Sequence, residues 1–276
     1  MSIVYKRPAE LEIMAEAGAL LYAVHDLVER EVAEGVTTQH LNDVAQRAIL
    51  EFGAKPAFLG YNGFPATINA SINEQIVHGI PGNRRLRNGD IISIDIGLHY
   101  KGWVADSART YPVGQVSTTA RRLLEVTDAA LWAGIRAAQA GKRLGDVSWA
   151  VQKTVESAGF AVVREFVGHG VGRRMHEEPQ VPNWGQPGKG PEMRPGMTFA
   201  LEPMVTISRT KVNVLQDGWT AVTTNGSLSA QIEHTVAITA HGPRVLTLPK
   251  GAAHGPIYKP LETQQSPRQP ELALSR

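Results

Sequence analysis

Apolar residues at helical spacing open the chain. Pro8 suits the first turn of a helix, and the apolar positions after it lie mostly three or four residues apart: Leu11, Met14, Ala17, Leu21, Val24 and Val28. A second helix is predicted over residues 38–52, with Gly53 as its stop. Residues 54–111 change to patterns broken by Gly, Pro and Asn, which predicts strands and turns.

The same order of elements then repeats. Residues 117–119 offer caps for a third helix that ends near Gly141, and Asp146 offers a cap for a fourth that ends near Gly159. Residues 161–248 return to strand and loop patterns. Two halves, each of two helices followed by strands, predict an α+β fold, although the internal sequence similarity is slight.

The end of the chain has a different composition. Hydrophobic residues make up 42% of the whole sequence and charged residues 20%, which is typical of a globular protein. Residues 251–276, in contrast, contain four prolines and few apolar side chains. They are predicted to form a flexible tail, with a docking segment as the alternative, behind a single domain over residues 1–250.

The net charge and the absence of cysteine limit the partners and the metal ligands that are expected for this chain. Lys and Arg number 28 against 26 Asp and Glu, so nucleic acid and acidic membranes are not the expected partners. The chain has no cysteine, and any transition metal must therefore be bound by His, Asp and Glu. The first residues do not form a secretory signal, and the apolar run 17–24 is too short to span a bilayer. A cytoplasmic location is expected.

Two aspartates fall on adjacent predicted strands. Residues 90–98 alternate, with isoleucines on one face and Asp95 on the other, and a turn near residues 100–102 leads to a strand that contains Asp106. If the hairpin is centred directly after residue 100, Asp95 lies opposite Asp106. Such a pair needs a shared proton or a cation between its members. The alternative is a shifted register in which both are solvated.

Two glutamates lie within apolar patterns. Glu202 is embedded in the run 198–205, and Glu233 lies in an alternating strand predicted over residues 231–238. A carboxylate in such a position is costly unless it is paired or bound to a metal, and a buried ion pair with arginine is the alternative.

Two histidines lie between the aspartates and the glutamates. His169 is flanked by glycines that let a ligand approach, and His176 follows without the spacing of a helical zinc-protease motif. A structural role is the alternative for each. One imidazole and four carboxylates nevertheless suit two divalent ions about 3.5–4 Å apart, which make a water molecule reactive by lowering its pKa towards about 7. The residues alone predict a two-metal hydrolase of unknown substrate.

Five sequence blocks resemble the methionine aminopeptidases of the pita-bread fold. In order they are NGDIISIDIG, ADSARTY, GHGVGRRMHEEPQVPN, FALEPM and SAQIEHTV. The resemblance covers residues 5–248, which is nearly everything before the tail. It implies one catalytic domain over residues 1–250, with two pseudo-symmetric helix-helix-strand halves around a curved antiparallel sheet.

The resemblance also implies a set of metal ligands. Asp95 is expected at one metal, His169 and Glu202 at the other, and Asp106 and Glu233 are expected to bridge the two. Cobalt, manganese, Fe(II) and zinc would all suit these ligands.

Catalytic and substrate-binding roles follow from the same resemblance. Glu202 is expected to carry the proton from the attacking water to the leaving amine, His176 to stabilise the oxyanion, and His78 to contact the substrate backbone. The residues expected around the methionine side chain are Tyr61, Phe64, Asn69, Met175 and Trp219. Met175 stands where an aromatic residue is expected, and Asn69 where some bacterial relatives have a cysteine.

The implied function is removal of the initiator methionine from nascent proteins when the second residue is small, by attack of a dimetal-bound water or hydroxide. Glu202 and Glu233 are too close in sequence for the helical insertion of type II enzymes, so the short bacterial type I form is expected. The implied partners are nascent chains and, transiently, the ribosome. No membrane and no sequence-specific nucleic acid is expected, and the chain is expected to be a monomer.

Three alternatives stay open. A proline-directed or creatinase-like peptidase shares the fold, although its large N-terminal domain does not fit before residue 90. A binding module that has lost its metals is the second. The third is RNA or ribosome docking through basic clusters, for which a solvated face is the simpler interpretation: Arg84, Arg85, Arg87, Arg121 and Arg122.

Overall fold

The computed structural model describes residues 2–252 and 255–258. In these residues, two helix pairs alternate with two groups of strands. The first half contains α1 (Pro8–Glu31), α2 (Thr38–Glu51), β1 (Lys55–Pro56), β2 (Ile68–Ile72), β3 (Gln75–Val77), β4 (Ile91–Tyr100) and β5 (Trp103–Pro112). The second half begins with α3 (Thr118–Ala137), α4 (Leu144–Ser157), β6 (Ala161–Val162), β7 (Gly168–Gly170), β8 (Glu177–Val181) and β9 (Thr198–Leu201). It continues with β10 (Met204–Thr206), β11 (Val212–Val214), β12 (Ala221–Thr223), β13 (Ser229–Gln231), β14 (His234–Thr239) and β15 (Gly242–Val245). The predicted helix, helix, strands order is confirmed in both halves.

The helix starts follow local capping chemistry, and one predicted cap is wrong. In α1, Pro8 occupies the first turn, and in α3 the Ser117 hydroxyl accepts a hydrogen bond from a backbone N–H at 3.1 Å. Asp146 lies inside α4 and is not its N-cap residue. The helix begins two residues earlier, and the Asp146 carboxylate reaches back to the N–H of Arg143 at 2.9 Å. The third helix also ends at Ala137, before the predicted Gly141.

Antiparallel pairing joins the strands throughout the described part of the chain. In the first half, β4 pairs with β1 and β2 on one edge and with β5 on the other. The second half contributes a five-stranded sheet in the order β15-β14-β9-β7-β8. Two three-stranded sheets, β13-β10-β6 and β11-β12-β3, complete the arrangement, and the last of them draws one strand from the first half.

Each helix pair covers the strands of its own half. Helices α1 and α2 bury their apolar faces against the isoleucines of β2 and β4, while α3 and α4 pack on β9, β13 and β14. The strands therefore have one face under helices and the other towards the middle of the molecule. Polar residues on the inner face are buried as well, because the two halves meet there.

Most of the predicted tail lies outside the described residues, namely 253, 254 and 259–276. Within the described part, the backbone N–H of Tyr258 donates to Asp128 Oδ2 at 2.8 Å, and its hydroxyl donates to the carbonyl of Thr110. Among the described residues, no helix is both long enough and apolar enough to cross a membrane.

Candidate metal centre and substrate cavity

A tight hairpin positions the two aspartates. Lys101 and Gly102 form the turn, and both have positive φ, at 48° and 79°. A two-residue turn with two positive φ values matches the twist of its flanking strands. Tyr100 therefore pairs with Trp103, and this contact sets the register of β4 against β5.

The predicted register of this hairpin is wrong by two residues. Asp95 pairs with Ala108, and Asp106 pairs with Gly97. The cause is the turn, which is centred between Lys101 and Gly102 instead of directly after residue 100. A shift of two keeps side chains on the same face, because the strand period is two. The aspartates are therefore diagonal neighbours on the inner face, and the expectation that they converge holds.

The two glutamates lie where the chain passes from one sheet to another. Glu202 separates β9, in the five-stranded sheet, from β10, in a three-stranded sheet. Glu233 separates β13 from β14, which belong to the same two sheets. The continuous strand predicted over residues 231–238 is thus broken at residues 232–233. The N–H of Glu233 donates to the carbonyl of Ala108 at 2.9 Å, which fixes it beside β5.

Three of the carboxylates form a close group. Asp95, Asp106 and Glu233 each offer an oxygen, and these oxygens all lie within 4.8 Å of one another. All three side chains are buried. The Thr235 hydroxyl supports this arrangement by donating to the carbonyl of Asp106 at 2.8 Å across the seam between the halves.

His169 and Glu202 adjoin this group on one side. His169 Nε2 lies 3.6 Å from Asp106 Oδ2 and 3.8 Å from Glu202 Oε1. The other ring nitrogen, Nδ1, is 3.0 Å from the carbonyl of Gly170. Since a carbonyl can only accept, Nδ1 carries a proton there, and Nε2 is left as a lone-pair donor directed at the carboxylates. Asp106 therefore belongs to both parts of the cluster.

The buried carboxylates of this cluster lie close together, and a positive charge beside them would stabilise their ionised forms. Burial, then the nearby carboxylates, raises the pKa of Asp106, Glu202 and Glu233, and burial raises the pKa of Asp95 to about 7. Within the described residues no Lys or Arg forms an ion pair with these four groups, so the alternative of a salt bridge to arginine is excluded there. Among the residues that the structure describes, three of their buried oxygens find no hydrogen-bond partner: Asp95 Oδ1, Asp106 Oδ1 and Glu233 Oε1.

This donor set fits divalent cations. Unpartnered buried oxygens are costly, and a cation that accepts their lone pairs removes that cost. Carboxylates with one neutral imidazole suit manganese, iron, cobalt and zinc. His169 is suited to act as that imidazole, because burial and the neighbouring His176 lower its pKa to about 4 and keep it neutral.

A cavity of about 250 Å³ opens beside the cluster. It contacts all five predicted metal ligands and all seven predicted substrate-binding residues: Tyr61, Phe64, Asn69, His78, Met175, His176 and Trp219. Phe64 and Trp219 meet edge to face with ring centroids 5.2 Å apart, and this pair forms an aromatic wall. The structure therefore brings together every site residue that the sequence predicted.

Two histidines frame the cavity. His176 Nδ1 lies 2.7 Å from the Tyr61 hydroxyl, and its ring is 4.1 Å from that of His169 between centroids. His78 has a φ of 60°, an uncommon backbone conformation that turns its side chain towards Phe166 and Trp219. Burial lowers the pKa of both histidines, so both are neutral hydrogen-bonding groups near pH 7.

Further residues of the cavity were missed from sequence: Phe58, Asn62, Val77, Phe166, Val167 and Met204. Each lies within a few residues of a predicted site residue, and Met204 is the last letter of the block FALEPM. Proximity to the motifs was therefore a usable signal for them. Their side chains have no reactive group, which is why chemistry alone did not select them.

The basic clusters considered for RNA docking do not line this cavity, and some of their side chains contact other residues of the chain. Arg85 donates to the carbonyl of Gly35 at 2.7 Å, Arg122 lies 3.3 Å from Glu125, and Arg84 lies 3.7 Å from Glu74. These contacts favour the simpler interpretation of a solvated face.

Comparison with known proteins gives consistent matches. The model of metallopeptidase family M24 matches residues 12–240. Methionine aminopeptidase 1 of Bacillus subtilis (strain 168) is 49% identical over 245 residues, which cover 89% of this chain and 99% of that protein. A crystal structure of methionine aminopeptidase from Rickettsia prowazekii matches with a TM-score of 0.88 at 39% identity, over 90% of this chain and 100% of the other. A prolidase from Pyrococcus horikoshii OT3 matches with a TM-score of 0.72 at 22% identity, over 90% of this chain and 64% of the other, a likeness of fold alone.

Proposed function

Because this chain belongs to metallopeptidase family M24 and has its pita-bread fold, we propose that it is a methionine aminopeptidase. The reaction is hydrolysis of the bond after an N-terminal methionine in polypeptides whose second residue is small. The observation that carries the proposal is the buried cluster of carboxylates with unpartnered oxygens, which opens directly into a small, largely apolar cavity.

The metal ligands in this proposal are the five converging side chains: Asp95, Asp106, His169, Glu202 and Glu233. Two cations are favoured over one because Asp106 contacts both the carboxylate group and the His169 side of the cluster. Cobalt, manganese, Fe(II) and zinc are the candidates. Bound divalent cations supply Lewis acidity and lower the pKa of water towards about 7.

Glu202 is the proposed proton carrier. Its Oε2 accepts a hydrogen bond from Gln231 Nε2 at 3.1 Å, so Oε1 is the atom left to take a proton from the attacking water and release it to the leaving amine. Burial, and after it the charge of Asp95, raises the pKa of Glu202 in the protein without cations.

The cavity provides binding and charge stabilisation. Its volume of about 250 Å³ is below the range of about 300–1,000 Å³ usual for drug-sized ligands, so it fits one side chain better than a long segment. Phe64, Trp219 and Met175 offer apolar and polarisable surface to a thioether. In this proposal His176 donates a hydrogen bond to the oxygen that becomes negative during attack, and His78 contacts the substrate backbone. Preorganised donors of this kind contribute about 10²–10³ in rate.

The proposal is tested with a Met-Xaa-Ser peptide series, using protein loaded with manganese or cobalt. Cleavage of Met-Ala-Ser is expected, with less cleavage as Xaa becomes larger. Asp106→Ala and Glu233→Ala are each expected to reduce turnover to below about one hundredth, because each removes a ligand shared within the cluster. Asp43→Ala, which changes an exposed carboxylate on α2, is the matched control and should retain turnover.

Peptide cleavage and metal titration by calorimetry together separate the alternatives. Cleavage of Xaa-Pro peptides in place of Met-Ala-Ser would identify a proline-directed peptidase instead. A binding module without metals would give no heat on titration with manganese or cobalt.

The remaining parts of the proposal concern the oligomeric state, the location, the domain bounds and the partners of the protein. We propose a monomer acting in the cytoplasm on nascent chains, with one catalytic domain over residues 1–250 and with transient ribosome contact. Size-exclusion chromatography tests the monomer. Co-sedimentation with ribosomes that persists after charge reversal at Arg87 and Arg121 would remove these arginines from any ribosome contact.

A further inference from the structure

A buried ion pair lies behind the cavity wall and joins distant parts of the chain. Lys6 Nζ donates to Glu177 Oε2 at 2.7 Å, and the side chains are only 1% and 5% exposed. Each of the other described ion pairs between Lys or Arg and an acidic residue includes at least one side chain that is more than a third exposed. Neither Lys6 nor Glu177 lines the cavity, and neither is among the proposed metal ligands.

The segment that carries Lys6 is fixed in place. Its backbone N–H donates to the carbonyl of Gly196 at 2.7 Å, and its ammonium also donates to the carbonyl of Val4 at 3.1 Å. A Cβ on Gly196 would lie 2.5 Å from the carbonyl oxygen of Lys6, so the two backbones are in direct contact. Lys6 thus presents its charge from a rigid position.

Glu177, the first residue of β8, organises the loop over residues 172–176 that precedes it. Its second oxygen, Oε1, accepts hydrogen bonds from the N–H groups of Arg173 at 2.9 Å and Arg174 at 3.2 Å. A Cβ on Gly172 would lie 2.6 Å from Lys6 Cε and 2.7 Å from Glu177 Oε1, so the loop closes tightly around the ion pair. The carbonyl of Gly172 also accepts from the N–H of Val104 at 2.7 Å, which ties the loop to β5.

This loop supplies two residues of the cavity wall. Met175 and His176 line the cavity and directly precede Glu177 in the chain. The His176 ring is held on its other side by the Tyr61 hydroxyl at 2.7 Å. The backbone that carries His176 is therefore fixed by Glu177, and Glu177 is fixed by Lys6.

We propose that Lys6 and Glu177 are positioning residues that hold Met175 and His176 in the cavity, so that the N-terminal segment completes the active site. The expected effect on kcat rests on the proposed function, whereas the expected placement of the loop rests on geometry alone. A buried pair of opposite charges suits the task, because any other placement of the loop would leave one charge buried without its partner.

The kinetic test uses Lys6→Met, Glu177→Gln, the double variant and Lys6→Arg, each loaded with manganese and assayed on Met-Ala-Ser. Each single neutralisation is expected to lower kcat about 10- to 100-fold with KM changed less than about threefold, since a displaced His176 weakens transition-state contacts. The double variant should lose no more than the worse single variant, because no unpaired charge remains. Lys6→Arg should recover most of kcat, and manganese affinity by calorimetry should stay within about twofold.

The matched control is Arg244→Met. Arg244 also contacts a glutamate, Glu12, with Nη2 3.1 Å from Oε2, but both of those side chains are more than a third exposed. It should retain kcat within about twofold, since exposed ion pairs contribute little. Single variants at Lys6 and Glu177 with kcat within twofold of wild type, or an equal loss in Arg244→Met, would overturn the proposal.

A spectroscopic test works without activity. Histidine ring NMR signals are recorded for metal-free wild type and Lys6→Met, with the His176 signal assigned by its absence in His176→Gln. The His176 signal is expected to shift or broaden in Lys6→Met, while that of the exposed His40 stays in place. An unchanged His176 signal would refute positioning. Wild type that cleaves no methionine peptide would refute the proposed function, and the spectra would still decide the inference.

Discussion

Two carboxamide side chains each hold one oxygen of a carboxylate in the cluster. Asn69 Nδ2 donates to Asp95 Oδ2 at 2.8 Å, and Gln231 Nε2 donates to Glu202 Oε2 at 3.1 Å. Each contact orients a carboxylate and leaves its other oxygen directed elsewhere, which in the case of Asp95 is the unpartnered Oδ1. Hydrogen bonds of this kind fix a metal ligand before the metal arrives. Asn69 also lines the cavity, so one side chain both orients Asp95 and forms part of the cavity wall.

Replacing Asn69 should therefore weaken metal binding. In Asn69→Ala, the Asp95 carboxylate loses its only described hydrogen-bond donor, and affinity for manganese is expected to fall about 10- to 100-fold. Calorimetric titration of metal-free protein measures this directly. Asn225→Ala, at an exposed loop asparagine, is the control and should bind manganese as wild type does. Equal affinities for Asn69→Ala and wild type would show that Asp95 is oriented by other contacts.

At the scale of elements, the periodicity of apolar residues predicts which face of a strand a side chain occupies. It predicts less well which residues of two strands pair with each other. The alternation of β4 was sufficient to put Asp95 on the inner face, and the five blocks were sufficient to select the residues of the cluster. The register of the β4–β5 hairpin depends on the turn at Lys101 and Gly102, where only the glycine signals positive φ. The error of two residues was harmless, because only an odd shift moves a side chain to the other face.

The positions of the two glutamates depend on tertiary structure that no local pattern contains. Glu202 and Glu233 each lie where the chain crosses between the same two sheets, so neither is a regular strand residue. Apolar residues on both sides continue the strand pattern through each crossing. The sequence therefore predicts continuous strands, while the sheets to which the flanking segments pair decide where each strand ends.

A small residue in β4 is required by the loop that carries Met175. A Cβ on Gly97 would lie 2.7 Å from Met175 Cε and 2.7 Å from Phe58 Cε1, and both side chains line the cavity. Gly97→Ala should push them into the cavity and raise KM for Met-Ala-Ser about five- to tenfold, with a loss of about 1–3 kcal/mol in stability. Steady-state kinetics and denaturant unfolding measure the two effects.

Gly185→Ala provides the matched control for this crowding. Its Cβ would lie 2.9 Å from Ser148 Cβ, outside the cavity. A similar loss of stability with unchanged KM is expected. A KM for Gly97→Ala that equals that of the control would mean that Met175 and Phe58 move away from the cavity instead.

At the scale of the whole molecule, the cluster is a contact between the two halves. Asp95 and Asp106 come from the first half, and His169, Glu202 and Glu233 come from the second. Backbone and side-chain hydrogen bonds cross the same seam, from Glu233 to Ala108 and from Thr235 to Asp106. Without cations, the seam holds buried carboxylates whose pKa values are raised, so folding without metal opposes their ionisation.

Metal removal should therefore lower the stability of the entire chain. A ligand at 100 times its Kd adds about 2.7 kcal/mol, which corresponds to roughly 5–10 °C in Tm for a domain of this size. Calorimetric scans with manganese and with a chelator measure the difference. In Asp106→Asn the scans should coincide, and the Tm should exceed that of chelated wild type, because one negative charge has been removed from a buried group of carboxylates that repel one another. A chelated wild type that melts above Asp106→Asn would mean that Asp106 is satisfied without a cation, and the metal assignment would lose its physical basis.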